Sequence, residues 1–258
     1  MGERNKSTEA IILSVKVSGE NNRSVLLLSP EAGLFYATLY GGPKSRLRSL
    51  VQNFNTGKIW YYEDETKHSR KITDFEGKSF RLSFSSDIYK MMAANLAGEL
   101  VIKTKAAGEP GKAFYLLNGF LDGMDRSSEE ESRLGLLRFL WRYVSLSGLE
   151  TELSFCADCG KNLFSEEGDC AFIEKYGSFV CPSCFSLHSR ENGISRNYFL
   201  DRHALIYLSA TTTLPPSKVR LMALPAPSAY KMKQFVYHAA CDLLDVRLNT
   251  LDAAKGIL

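Results

Sequence analysis

No stretch of this chain comes near the roughly 20 consecutive apolar residues that a helix needs to cross a bilayer, so no segment reads as a membrane span. Its start is not a secretory signal of ordinary form either. Met1 to Thr8 is polar, and Ile11 to Val17 is only long enough for a strand, which leads us to expect a cytoplasmic protein. Histidine is scarce: His68, His188, His203 and His238 are scattered, and none stands beside a nucleophile or carboxylate in a recognisable arrangement. Gly41-Gly42-Pro43-Lys44-Ser45 looks superficially like a phosphate loop but lacks the G-x-x-x-x-G-K-[ST] spacing. With no catalytic constellation, the expectation is a protein that is not an enzyme. Strong net charge is also missing. The balance of +3 is too small to imply a partner, but residues 1–84 hold 13 Lys and Arg against 9 Asp and Glu, so the basic excess lies in the first third.

The 6 cysteines are few, yet four of them form the most specific pattern present. Cys156-Ala-Asp-Cys159 and Cys181-Pro-Ser-Cys184 are two C-x-x-C knuckles with 21 intervening residues, slightly more than the usual template of about 15–20. Each knuckle offers two soft ligands from one tight turn, so together they close a tetrahedral zinc site. Such a closed site leaves no open position and holds a fold together without catalysing. Phe172, Ile173, Tyr176, Phe179 and Val180 around Gly177 supply a small hairpin between the knuckles. A thiol redox pair is one alternative, but no βαβ unit surrounds the motif. Disulfides are another, and belong to oxidising compartments. Cys170 and His188 lie close enough to substitute for a ligand, while Cys241 reads as a small core residue in an apolar helical stretch.

With 45% hydrophobic residues in 258, the chain can build two or three domains. The first third reads as β-structure: strands over Glu9 to Ser18, Arg23 to Ser29, Gly33 to Tyr40, Lys58 to Tyr62, Ser69 to Phe75 and Phe80 to Phe84, separated by Gly, Asn and Pro turns. Short strands at this spacing point to a small barrel. From Ser85 the apolar period becomes helical. Ile88, Met91, Met92, Leu96 and Leu100 form one stripe, with Ser86 or Asp87 as cap and Ala106-Ala107-Gly108 as terminus. Further helices are expected from Lys112 to Asp122, from Ser127 or Ser128 through Glu129-Glu130-Glu131 to Val144, from Arg202 to Ala210, and from Tyr230 to Leu248. The fold expected is α+β, with a small barrel at 1–84, a helical domain at 85–150 and 188–258, and a zinc ribbon at 151–187 between the helical parts. The helical parts on either side of the ribbon should pack as one body.

One basic segment stands out. In Gly41 to Leu50, Lys44, Arg46 and Arg48 alternate, so an extended backbone would aim all three to one side while Leu47 turns away. The same region carries Phe35, Tyr36, Tyr40, Trp60, Tyr61 and Tyr62. Cations that follow phosphates beside rings that accept bases are how such barrels hold single strands.

The order of these parts resembles the RecO family of bacterial recombination mediators. The resemblance is carried by Glu9-Ala10-Ile11-Ile12-Leu13, Ser18-Gly19-Glu20 with Arg23-Ser24-Val25, Gly33, Gly41 through Leu50 with Gln52-Asn53-Phe54, Asn95 through Leu100, and Leu134 through Gly148 running to Cys156 and Cys159. The C-terminal end matches least. The resemblance implies that the barrel is an oligonucleotide-binding (OB-fold) barrel and that the zinc ribbon is inserted in the helical domain, in a bacterial, nucleoid-associated protein of the cytoplasm that binds single- and double-stranded DNA and anneals complementary strands. With RecR, it would help RecA replace single-strand-binding protein on gapped DNA. In that setting Lys44, Arg46 and Arg48 are the candidate phosphate contacts, Arg23 at the first hairpin is the next, and Tyr40 is a candidate stacking residue. The acidic tail of single-strand-binding protein would need an apolar pocket with a cation on the helical body. The alternative is a zinc-ribbon transcription or RNA-binding factor, with a thiol oxidoreductase as a more distant third.

Overall fold

A computed structural model describes residues 4–42, 44–192, 198–243 and 245–258, without the side chains of 188–192 and 242–243. It is an α+β structure that divides into two compact units, residues 1–136 with 248–258, and residues 137–247.

The first unit is built on a closed barrel. Strands β1 (Asn5–Ser18), β2 (Asn22–Ser29), β3 (Gly33–Leu39), β4 (Thr56–Asp64) and β5 (Ser69–Ser79) join in the order β1-β2-β3-β5-β4, with β4 returning to β1. All neighbours are antiparallel except β3 and β5, which meet in parallel at Thr38 and Lys71. That strand order and closure have the layout of an OB-fold barrel. Alternation drives it: Phe35, Ala37 and Leu39 of β3 are buried in the interior, while Tyr36 and Thr38 point outward. Ile11, Leu26 and Leu28 are buried as well, although they lie outside the interior cluster. Helix α3 (Pro110–Arg126) packs against β2 and β3, so this part of the sheet is covered on both faces.

Helix α2 (Ile88–Lys103) starts where the Asp87 carboxylate accepts the Lys90 N–H at 3.1 Å. Its small residues Ala93, Ala94, Ala97 and Gly98 are buried, and a side chain at Gly98 would press on the Phe54 ring. Helix α4 (Glu129–Leu146) opens with the Glu131 N–H donating to Ser128 Oγ at 3.3 Å and with three glutamates in its first turn, a favourable match to the helix dipole. The division between the units falls inside α4.

The second unit contains the cysteine knuckles, a three-stranded sheet in the order β7-β6-β8, and helices α5 (Pro182–Asn192), α6 (Arg202–Thr213), α7 (Pro216–Val219) and α8 (Ala226–His238). The strands are β6 (Cys170–Ile173), β7 (Ser178–Val180) and β8 (Tyr198–Leu200). Phe172, Phe179 and Trp141 converge on Phe235 with ring centroids 5.0 to 5.6 Å apart, and Trp141 Nε1 donates to the Leu208 carbonyl at 3.2 Å. The structure also places α9 (Asn249–Ala253) in the first unit.

Four local expectations do not hold. Phe80 to Phe84 is not a strand: Arg81 takes a left-handed conformation (φ 41°), Phe80 folds over Gly77, and Leu82–Ser85 form a 3-10 turn. Helix α2 stops at Lys103, because Lys105, Ala106 and Ala107 are left-handed. The helix expected from Tyr230 begins earlier, behind Pro225, and gives way after His238 to a π-helical stretch, Ala239–Leu243. Asp245 beyond it has φ 51°, and Leu248 caps α9. Leu244, which that expectation included, lies outside the described residues. Finally, the basic segment is not extended. Arg46–Leu50 form a short helix, α1, because Leu47 and Leu50 pack against the barrel interior and need helical spacing to share a side.

Candidate nucleic-acid interface and metal centre

The β3–α1 connection is a tight structure. Gly41 has φ 125°, a conformation that side chains avoid, and Ser45 N–H donates to the Gly42 carbonyl at 3.0 Å to close the turn. Lys44 is exposed at the tip, Arg46 is exposed on the first residue of α1, and Arg48 is half-buried one half-turn on. Two residues along a helix turn the side chain by roughly 200°, so Arg46 and Arg48 leave on different sides. Among the described residues, none of the three cations is ion-paired.

Register brings Arg23 to the same end of the barrel. It pairs with Leu39, the last residue of β3, and the β1–β2 turn lies against the loop, with Asn21 Oδ1 at van der Waals distance from where a Gly42 side chain would begin. Arg23 follows the inward parity of Val25 and Leu27, and its Nε is buried without a hydrogen-bond partner. Tyr40 is 50% exposed, and Lys71 Nζ stands 5.1 Å from its ring centroid. Sequence reasoning missed Lys71, because β5 joins β3 only through barrel closure. The other aromatics separate: Phe35 and Tyr61 are core, 5.3 Å apart, Trp60 and Tyr62 are half-buried, and Tyr36 is exposed.

In the second unit the four knuckle cysteines converge, their sulfurs all within 4.8 Å of one another. Cys156 N–H donates to the Lys161 carbonyl at 2.8 Å and Gly160 N–H to the Cys156 carbonyl at 2.9 Å, closing the first knuckle. The second knuckle ends in the first turn of α5, and Cys181 N–H donates to Cys156 Sγ at 3.3 Å. Cys159 Sγ and Cys181 Sγ are 3.8 Å apart, about the edge of a tetrahedron with metal–sulfur bonds near 2.3 Å. Burial acts to raise the Cys156 thiol, but the N–H groups of Cys159, Cys181 and Asp158 outweigh it and bring it down to about 7. Burial and the neighbouring thiols push Cys184 well above the usual thiol range. Four thiolates cannot share this space without a cation between them, so the donor set fits a divalent metal. Cys170 stands at the start of β6, outside the quartet, and burial pushes its thiol up to about 12, which suits a packing role. The His188 side chain lies outside the described residues. Cys241 is half-buried in the π-helical stretch.

A family model described as "Recombination protein O N terminal" matches residues 1–80, and one described as "Recombination protein O C terminal" matches residues 85–206. The chain belongs to the RecO family. It is similar to the "DNA repair protein RecO" of Solidesulfovibrio magneticus, 30% identical over 181 residues that cover 69% of this chain and 72% of that protein. It is 27% identical over 210 residues to that of Shouchella clausii, covering 80% and 79%, and 24% identical over 223 residues to that of Desulforamulus reducens, covering 84% and 85%. This RecO-family DNA repair protein thus carries the barrel in the segment matched by the N-terminal model and the four-cysteine cluster in the segment matched by the C-terminal one. Among the described residues, no helix is long and apolar enough to cross a membrane.

Proposed function

We propose that this protein binds single- and double-stranded DNA through the cationic end of its barrel and anneals complementary strands. With RecR, it would assist RecA loading on DNA coated by single-strand-binding protein. The observation that carries the proposal is the gathering of Lys44, Arg46, Arg48 and Arg23 at one barrel end beside the exposed Tyr40. Cations without carboxylate partners neutralise phosphates and lower the repulsion between two strands, while contacts that ignore sequence leave bases free to pair. Residues 1–84 then act as the DNA module, 85–150 with 188–258 as the helical body that meets protein partners, and 151–187 as the ribbon. One zinc on Cys156, Cys159, Cys181 and Cys184 would stiffen that ribbon and take no part in chemistry. The acidic tail of single-strand-binding protein would need an apolar pocket with a cation on that helical body.

No complete loop for a nucleoside triphosphate accompanies these cations, so base pairing itself supplies the driving force. The test is annealing of complementary oligonucleotides coated with single-strand-binding protein. Acceleration at low salt, unchanged by ATP and fading as salt screens the phosphates, is the expected result. An absolute requirement for ATP, or tight single-strand binding that never brings complements together, would overturn the proposal.

A further inference from the structure

The run from Asn95 to Leu100 in the middle of α2 has no part in the DNA contacts or the cysteine cluster. Met92, Asn95, Glu99 and Ile102 follow one another at spacings of three and four residues, so they share one face of that helix. All four are half-buried, whereas Ala93, Leu96, Ala97 and Leu100 are fully buried. The half-buried face borders a cavity of about 440 Å³ within the first unit, a size that ligand sites have.

A second wall is irregular backbone. Strand β1 carries a bulge between Ile12 and Ser14, which brings Leu13 and Ser14 to the cavity, and Phe54 in the turn before β4 is left-handed, with φ 66°. Phe54 N–H donates to the Ile12 carbonyl at 2.6 Å, so bulge and turn are tied together. Bulges and left-handed non-glycine residues gather at binding sites, where they re-aim side chains. The third wall is the start of α9, held by Glu99.

The chemistry of the lining selects the ligand. Its two charged groups neutralise each other, with Lys103 Nζ 2.8 Å from the Glu99 carboxylate, so an ion gains little there. Ser14, Asn53 and Asn95 offer a hydroxyl and two carboxamides, and among the described residues these side chains make no hydrogen bond to the protein. A carboxamide both donates and accepts, which matches the N–H and C=O of a peptide group. Leu13, Met92 and Ile102 add aliphatic surface, and methionine adapts to the shape it meets. A nucleobase needs an aromatic face to stack on. Phe54, the aromatic residue of the lining, is only 2% exposed, its ring packed on Gly98 and Phe84.

We propose that this cavity docks a short uncharged peptide segment of a partner protein, one aliphatic side chain entering among Leu13, Met92 and Ile102 while Asn53 and Asn95 bind its backbone amides. The cavity wall already holds a peptide in this way, since Glu99 accepts two successive backbone N–H groups from Asn249 and Thr250. The lining contains none of the residues assigned to DNA contact, so the site adds a protein-binding function to the DNA-binding one.

The experiment is methyl NMR of the full chain, labelled at its methionine and isoleucine methyl groups. The Met92 and Ile102 signals are followed during titration with the blocked tripeptide acetyl-alanyl-leucyl-alaninamide and, in parallel, with thymidine. Saturable shifts of both signals by the peptide and none by thymidine are expected. Asn95→Ala should weaken the peptide about fivefold, as the loss of one hydrogen bond does. Ala253→Phe, which adds a ring to the lining, should abolish the shifts, and the remaining methyl signals show that both variants are folded. Met92 and Ile102 signals that the peptide leaves unmoved, or peptide shifts that both variants retain in full, overturn the docking site. Saturable shifts by thymidine at equal or lower concentration overturn it in favour of a nucleobase pocket.

Discussion

Arg81 and Asp122 form an ion pair at 2.8 Å, with the arginine side chain only 1% exposed. The same guanidinium donates to the Phe54 carbonyl, to Thr56 Oγ1 at 2.7 Å and to Asn118 Oδ1 at 2.7 Å. One buried cation thus ties the start of β4, the turn before it and helix α3 together. Burial lowers its pKa from the ordinary arginine value while Asp122 opposes that shift.

Removing Asp122 should therefore cost more than an ordinary surface pair. Asp122→Ala leaves a buried charge under-compensated, and because the carboxylate is partly solvated the expected loss is about 2 kcal/mol, below the usual range for fully buried pairs. Urea unfolding of the variant checks this. A midpoint indistinguishable from wild type would mean that the remaining acceptors suffice.

The cysteine quartet should hold one zinc per chain as purified. Cys181→Ser is expected to release metal and lower the thermal midpoint, while Cys170→Ser should retain metal because that residue stands outside the cluster. Metal analysis of both variants decides the matter. Equal metal loss in the two, or no zinc in freshly purified wild-type protein, would contradict the assignment.

Replacing Lys44, Arg46 and Arg48 together by alanine should weaken DNA binding for all sequences alike. The slope of log affinity against log salt should fall by up to about 3, somewhat less than one unit for each lost phosphate contact. A slope that stays at its wild-type value would move the electrostatic contact elsewhere on the chain.

Glu99 anchors the C-terminal segment. Its carboxylate accepts the Asn249 N–H at 2.9 Å, the Thr250 N–H at 2.8 Å and the Thr250 hydroxyl at 2.6 Å. Burial would raise its pKa, but Lys103 and these donors bring it down from 4.5 to about 2. A depressed carboxylate stabilises the folded state above its unfolded pKa and loses that contribution as pH falls through the folded one. The anchoring should hold at pH 6 and fade between about pH 4.5 and 2. Hydrogen exchange at the Thr250 amide is expected to be about tenfold faster in Glu99→Gln than in wild type at pH 6, with the gap closing at acid pH. Equal protection at pH 6 would show that packing alone holds α9.

Much of the architecture was legible along the chain because its causes are local. Alternation marked β1, β2 and β3, the Asp87 and Ser128 caps marked two helix starts, and the paired knuckles marked the cysteine quartet. Where local signals misled, a distant packing partner had intervened. Phe80 and Arg81 look like strand residues until Gly77 receives the phenylalanine ring and the buried cluster around Asp122 receives the guanidinium. Lys44, Arg46 and Arg48 alternate like an extended segment, yet Leu47 and Leu50 turn it into α1 by seeking the barrel interior.

By itself the sequence determined the α+β class, the barrel-forming strands, the four clustered cysteines and the basic segment, since periodicity, turn residues and motif spacing need only neighbours in the chain. Tertiary structure alone decided which cations and rings share a surface. Lys71 meets Tyr40 because the barrel closes β5 against β3 in parallel, and Glu99 meets Thr250 because the C-terminal segment returns to α2. Both are contacts between residues far apart in sequence, set by closure and packing, which no local pattern encodes.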